Sequence, residues 1–111
     1  SWYKFYAAQA IISTLKNRKN MAYLVENVNG TSGMLPRNGG SWLEYWERET
    51  GKRAYFCHRQ GCMEFGHDNL VGAHVKLVGS TDSSCYIVPL CQSCNHTNGN
   101  FLVDGPLVPV R

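Results

Sequence analysis

The sequence predicts an α+β fold: one small domain with a helical N-terminal part and a strand-rich, metal-stabilised C-terminal part. Three observations carry this. The chain has 111 residues, within the usual range of a single domain. Helix-like apolar spacing fills the first third and gives way to short strand-like runs after residue 52. Two closely spaced cysteine pairs, Cys57/Cys62 and Cys91/Cys94, lie about thirty residues apart. The expected organisation is a single domain over 1–111, with a helical and loop extension over 1–50. A zinc-binding core over 53–100 and a C-terminal strand or turn over 101–111 complete it.

Residues 3–19 predict a helix, because Phe5, Ala8, Ile12 and Leu15 recur at helical spacing and Lys16, Arg18 and Lys19 suit its C-terminal end. Met21–Val28 is apolar at both odd and even positions, which fits a short helix or a buried strand; a second helical piece is expected. The stretch 29–40 contains four Gly, one Pro and two Asn-Gly pairs, a loop composition. Ser41 followed by Glu44 is a capping box that starts a helix over 42–50, with Gly51 to end it. Trp42 and Trp46 then share one face and are expected to cover the core; a base-stacking platform is the alternative.

Strand-like segments follow. Arg53–Cys57 alternates, Leu70–Val78 is a longer strand interrupted by Gly72, and Tyr86–Leu90 is a third whose Pro89 requires an edge or a strand end. Cys91–Thr97 opens as a turn or short helix. Phe101–Val103 and Leu107–Val110 flank an Asp104-Gly105-Pro106 turn.

The spacing Cys57-x4-Cys62 and Cys91-x2-Cys94 suits a tetrahedral zinc ion held by four thiolates, with Gly61 tightening the first turn. Two disulfides or a redox dithiol are the competing chemistries. Cys85 stands outside both pairs as a small buried hydrophobe or spare thiol. That unpaired fifth thiol and a metal site favour an intracellular setting. Of the four histidines, His58 adjoins a cysteine, His67 lies in a polar loop beside Asp68, and His96 follows Cys94. His74 sits inside an apolar strand, where an imidazole must be hydrogen-bonded or used.

A composition 43% hydrophobic and 17% charged excludes a disordered acidic or basic tail and a histone-like charge density, and eleven Lys and Arg against eight Asp and Glu give a mild net charge of +3. The bias is local: residues 1–43 carry five basic groups and one acid. A phosphate-facing surface would draw on Lys16, Arg18, Lys19 and Arg37, or on Lys52, Arg53 and Arg59. No apolar run approaches the length of a membrane span. The chain starts at Ser1 without an initiator Met or a signal-peptide pattern, as expected for a processed or trimmed fragment.

The order Cys57-x4-Cys62, Gly72-Ala73-His74-Val75 and Leu90-Cys91-Gln92-Ser93-Cys94-Asn95 resembles the HNH endonuclease family over roughly residues 53–100. The resemblance implies a zinc-bound ββα treble-clef core with the zinc structural. It places His74 at the general-base position and Asn95 at the position that helps hold a catalytic divalent ion, a second cation beside the zinc. The family's middle asparagine would fall where this chain has Cys85 and Tyr86. Ala73 replaces the acid often found before the histidine, and Asn98 replaces a lysine after the cysteine pair. These departures favour a zinc-stabilised binding module that contacts nucleic acid or a protein partner, with catalysis lost or weakened. The alternatives are a metal-dependent nuclease with His74 as base, and a secreted interaction protein, for which Asn29-Gly30-Thr31 and Asn95-His96-Thr97 are formal glycosylation sequons.

Overall fold

The first described strand, β1 (Ala22–Asn27), is hydrogen-bonded on both sides, to β2 (Leu70–Leu77) and to β4 (Asn100–Asp104), in a computed structural model that describes residues 22–31, 33–81 and 83–111. Where a helix is expected over Met21–Val28, Ala22–Asn27 is therefore a central strand. Its two parities are not equally covered: Leu24 stays 43% exposed, so the strand buries mainly the face that carries Val25. Val25 is fully buried there and pairs with Leu77 and Phe101. The helix expected over 3–19, and with it Lys16, Arg18 and Lys19, lies outside the described residues.

Helix α1 (Trp42–Thr50) forms as its capping residues dictate. The Ser41 hydroxyl accepts from Glu44 N at 3.1 Å and the Glu44 carboxylate accepts from Ser41 N at 2.9 Å. Gly51 ends the helix in the left-handed region at φ 71°, which costs a glycine nothing sterically. The helix lays its first turn on β2 at Gly72. A Cβ at Gly72 would fall within 2.5 Å of Leu43 N and closer still to the Trp42 carbonyl carbon. The glycine that interrupts the β2 pattern is thus the seat of the helix. Trp46 is 1% exposed in the core, while Trp42 is only half-buried at its edge.

β2 and β3 (Tyr86–Cys91) form an antiparallel pair from Leu70↔Cys91 to Val75↔Tyr86, followed at once by the short helix α2 (Gln92–Asn95). β5 (Val108–Pro109) pairs only with Tyr86 and Ile87. The open edge of β3 therefore begins near Pro89, where a residue without an N–H is tolerated.

The sheet order is β4-β1-β2-β3-β5, yet the outermost strands β4 and β5 are joined by residues 105–107 alone. Four Cα steps span at most about 15 Å, whereas five flat strands would set their outer members about 19 Å apart. The sheet is curled, and residues 58–60 fill the gap between its edges. His58 N donates to Pro89 O of β3 at 2.9 Å, while Gln60 N donates to Leu102 O and Asp104 N donates to His58 O at 2.9 and 2.8 Å. Arg53–Cys57, expected as a strand, makes only one isolated bridge, Phe56↔Phe65. Its backbone instead finds scattered partners, such as the Glu47 carboxylate that accepts from Ala54 N at 2.8 Å. The fold is a small α+β domain with a mostly antiparallel sheet. Among the described residues no helix is long and apolar enough to cross a membrane.

Candidate metal centre

Two backbone devices bring four cysteines to one point. In the first, the chain turns at residues 59–62, where Cys62 N donates to Arg59 O at 3.1 Å and Gly61 adopts φ 86°. Cys57 N donates to Glu64 O at 3.0 Å and fixes the base of this knuckle. The two residues by which the x4 spacing exceeds a tight x2 knuckle have a use, since His58–Gln60 is the segment that bridges β3 and β4. In the second device, Cys91 ends β3 and stands at the N-cap of α2, and Cys94 lies in the first turn of that helix.

The Sγ atoms of Cys57, Cys62, Cys91 and Cys94 all lie within 4.8 Å of one another, and those of Cys62 and Cys91 are 3.9 Å apart. A tetrahedral thiolate site with metal–sulfur bonds near 2.3 Å has sulfur–sulfur edges of about 3.8 Å. The cluster fits such an ion with small adjustments. All five cysteines are free thiols, and Cys85 stands apart from the cluster.

The electrostatics of the four thiols differ. Burial pushes the Cys57 thiol up to about 12 and raises Cys94 as well. Burial opposes ionisation of Cys91 too, but hydrogen bonds from the Ser93 hydroxyl, the Cys94 backbone N–H and the neighbouring thiols outweigh it and bring Cys91 down to about 7. Cys91 is thus easier to ionise than Cys57 or Cys94. A metal ion supplies the field that ionises the rest.

Asn27 is a supporting residue that the sequence did not flag. Its Nδ2 donates to Cys94 O at 3.1 Å and Thr97 O at 3.0 Å, tying the end of α2 to β1. Its expected helix hid this role; only the pairing of β1 places it beside α2. Arg59 Nη1 donates to Thr97 Oγ1 at 2.8 Å, and its guanidinium stands 5.0 Å from the Phe101 ring centroid. Arg59 thus braces the metal knuckle against the end of α2. Arg37, Lys52 and Arg53 are exposed.

His74 lies on β2, 6% exposed. Its ring meets Trp42 edge-on, and its Nε2 is sealed from solvent with no hydrogen-bond partner among the described residues. Burial lowers its pKa, keeping the ring neutral. A cavity of about 430 Å³ is lined by His74, Asn95 and His96 together with Val28 and Met34. His96 Nδ1 is 2.8 Å from Gln92 O. His58 Nδ1 is 2.9 Å from Asp104 O, and its ring stands edge-on to Trp46 at 5.3 Å. His67 Nε2 lies 3.2 Å from Glu47 Oε2, while Asp68 beside it faces solvent. No family model, curated protein or solved structure matches the chain.

Proposed function

We propose that this protein is a zinc-stabilised module with an HNH-like ββα treble-clef core that binds nucleic acid without cleaving it. The donor set supports zinc: four sulfurs, no oxygen, and sulfur spacings suited to a tetrahedral ion. With four thiolate ligands no coordination position stays open for substrate, so the metal crosslinks the knuckle to β3 and α2 and serves the scaffold. Arg37, Lys52 and Arg53 supply exposed cations for phosphate contacts. Lys16, Arg18 and Lys19 add to this charge in sequence.

The observation that carries the loss of catalysis is the state of His74. A general base needs a partner that orients it and a path to the water it activates. Among the described residues His74 Nε2 has no hydrogen-bond partner, it is sealed from solvent, and Trp42 stands edge-on against the ring. The second reading, a metal-dependent nuclease with His74 as base and Asn95 helping to hold a divalent ion, draws support from the cavity that both residues line.

One experiment separates the two. The zinc-loaded chain is incubated with labelled single- and double-stranded oligonucleotides in Mg²⁺, Mn²⁺ or Ni²⁺. The binding reading expects salt-sensitive retention of intact strands, identical for wild type and His74→Ala. Cleavage that disappears in His74→Ala would establish the nuclease instead.

A further inference from the structure

The first metal knuckle carries apolar surface that metal binding does not require. Tyr55, Phe56, Met63 and Phe65 are 55, 65, 87 and 65% exposed. Phe56 and Phe65 face each other as partners in the isolated antiparallel bridge. The flanking hydrogen bonds run from Cys57 N to Glu64 O and from Gly66 N to Tyr55 O, at 3.0 and 2.7 Å. Phe56 and Phe65 are therefore a non-hydrogen-bonded pair, the kind whose side chains stand closest, with Cα atoms about 4.5 Å apart. Two phenyl rings leave one face of a short ribbon together. Cys57, the next residue, is buried, so the thiolates lie behind this face and not on it.

Exposed aromatics clustered on a rigid element mark a contact surface, and the local charge indicates the partner. Residues 52–66 hold three cations, Lys52, Arg53 and Arg59, and one acid, Glu64. Arg59 is engaged within the fold, leaving Lys52 and Arg53, both exposed and four and three residues before Phe56. The Arg53 guanidinium already stands 6.0 Å from the Tyr55 ring centroid. Flat rings beside cations match the base and phosphate of one nucleotide unit. A duplex keeps its base faces stacked internally and offers these rings nothing. Resting on the nucleic-acid-binding reading above, we infer that Phe56 and Phe65 form a stacking platform for unpaired bases of single-stranded nucleic acid, with Lys52 and Arg53 meeting the adjacent phosphates.

The test is fluorescence anisotropy of the zinc-loaded chain with a labelled 12-nucleotide single strand, as DNA and as RNA, and with the corresponding duplex. The expected result is tighter binding of a single strand than of duplex. Phe56→Ala and Phe65→Ala should each weaken it about fivefold or more, while Phe56→Trp and Phe65→Trp retain it. Because both rings are exposed, zinc content and melting temperature should stay at wild-type values in all four variants. Wild-type single-strand affinity in both alanine variants would overturn the platform and leave the nucleic-acid reading intact. Failure of the wild type to bind any strand would overturn both. Concentration-dependent dimerisation abolished by Phe56→Ala, without strand binding, would assign the rings to a second copy and overturn the platform.

Discussion

The indole of Trp42 stands edge-on over the imidazole of His74, with ring centroids 4.8 Å apart and planes at 81°. Trp42 is held there from two directions. The capping box fixes the first turn of α1, and Trp42 Nε1 donates to Met34 O at 3.0 Å. The imidazole gains an aromatic contact, but its Nε2 loses water without gaining a partner among the described residues. Such a group costs about 1–3 kcal/mol. His74→Met, which keeps an apolar side chain of similar reach, should therefore leave the urea midpoint unchanged or raise it. A drop equivalent to more than about 1 kcal/mol would mean that Nε2 has a partner worth keeping.

Gly72 is where α1 meets the sheet. Its added methyl group would collide with backbone atoms of Trp42 and Leu43, which cannot rotate away as a side-chain tip can. Gly72→Ala should destabilise the domain by about 1–3 kcal/mol, measured by urea denaturation. Trp42 fluorescence should change with it as the helix lifts. Wild-type stability in Gly72→Ala would refute this packing.

The four-cysteine cluster predicts close to one zinc per chain on metal analysis. Structural zinc contributes apparent binding free energies of about 10–16 kcal/mol at neutral pH, as large as the whole stability of an ordinary domain. Cys91→Ser or stripping with a chelator should unfold much of the chain, seen as lost near-ultraviolet circular dichroism. Cys85→Ser, outside the cluster, should retain zinc. A Cys91→Ser protein with wild-type melting would contradict the assignment.

Glu47 links α1 to the segment after it. Burial opposes its ionisation, but the Ala54 N–H and the His67 ring outweigh that effect and hold its pKa below the ordinary value of 4.5. The unfolded chain then binds more protons than the folded one as pH falls below that value. The contribution is fully present above the unfolded pKa and disappears as pH drops through the folded one. Urea midpoints measured from pH 6 to 3 should fall less steeply for Glu47→Gln than for wild type. Equal slopes would show that Glu47 is not held this way.

What the sequence determined by itself was encoded within a few residues of chain. Ser41, Glu44 and Gly51 specify α1 because cap and helix groups meet across three or four positions. The β2 and β3 strands are legible from their apolar runs, and the cysteine spacings specify two knuckles. Tertiary structure decided the remainder. Met21–Val28 suits helix or strand locally, and Ala22–Asn27 within it became β1 because β2 and β4, each far along the chain, complete its hydrogen bonds. Arg53–Cys57 alternates like a strand, yet its neighbours claim its backbone for the knuckle and the helix. His74 was visible as an unusual residue in an apolar strand, but its cover by Trp42 depends on how closely α1 can approach Gly72. Aromatic exposure followed the same rule: Trp46 entered the core, while among the described residues Tyr55, Phe56 and Phe65 at the knuckle were left to solvent. Local period and capping are short-range properties of the chain. Which strand finds which partner, and which ring meets water, is fixed only when distant residues compete for the same surface.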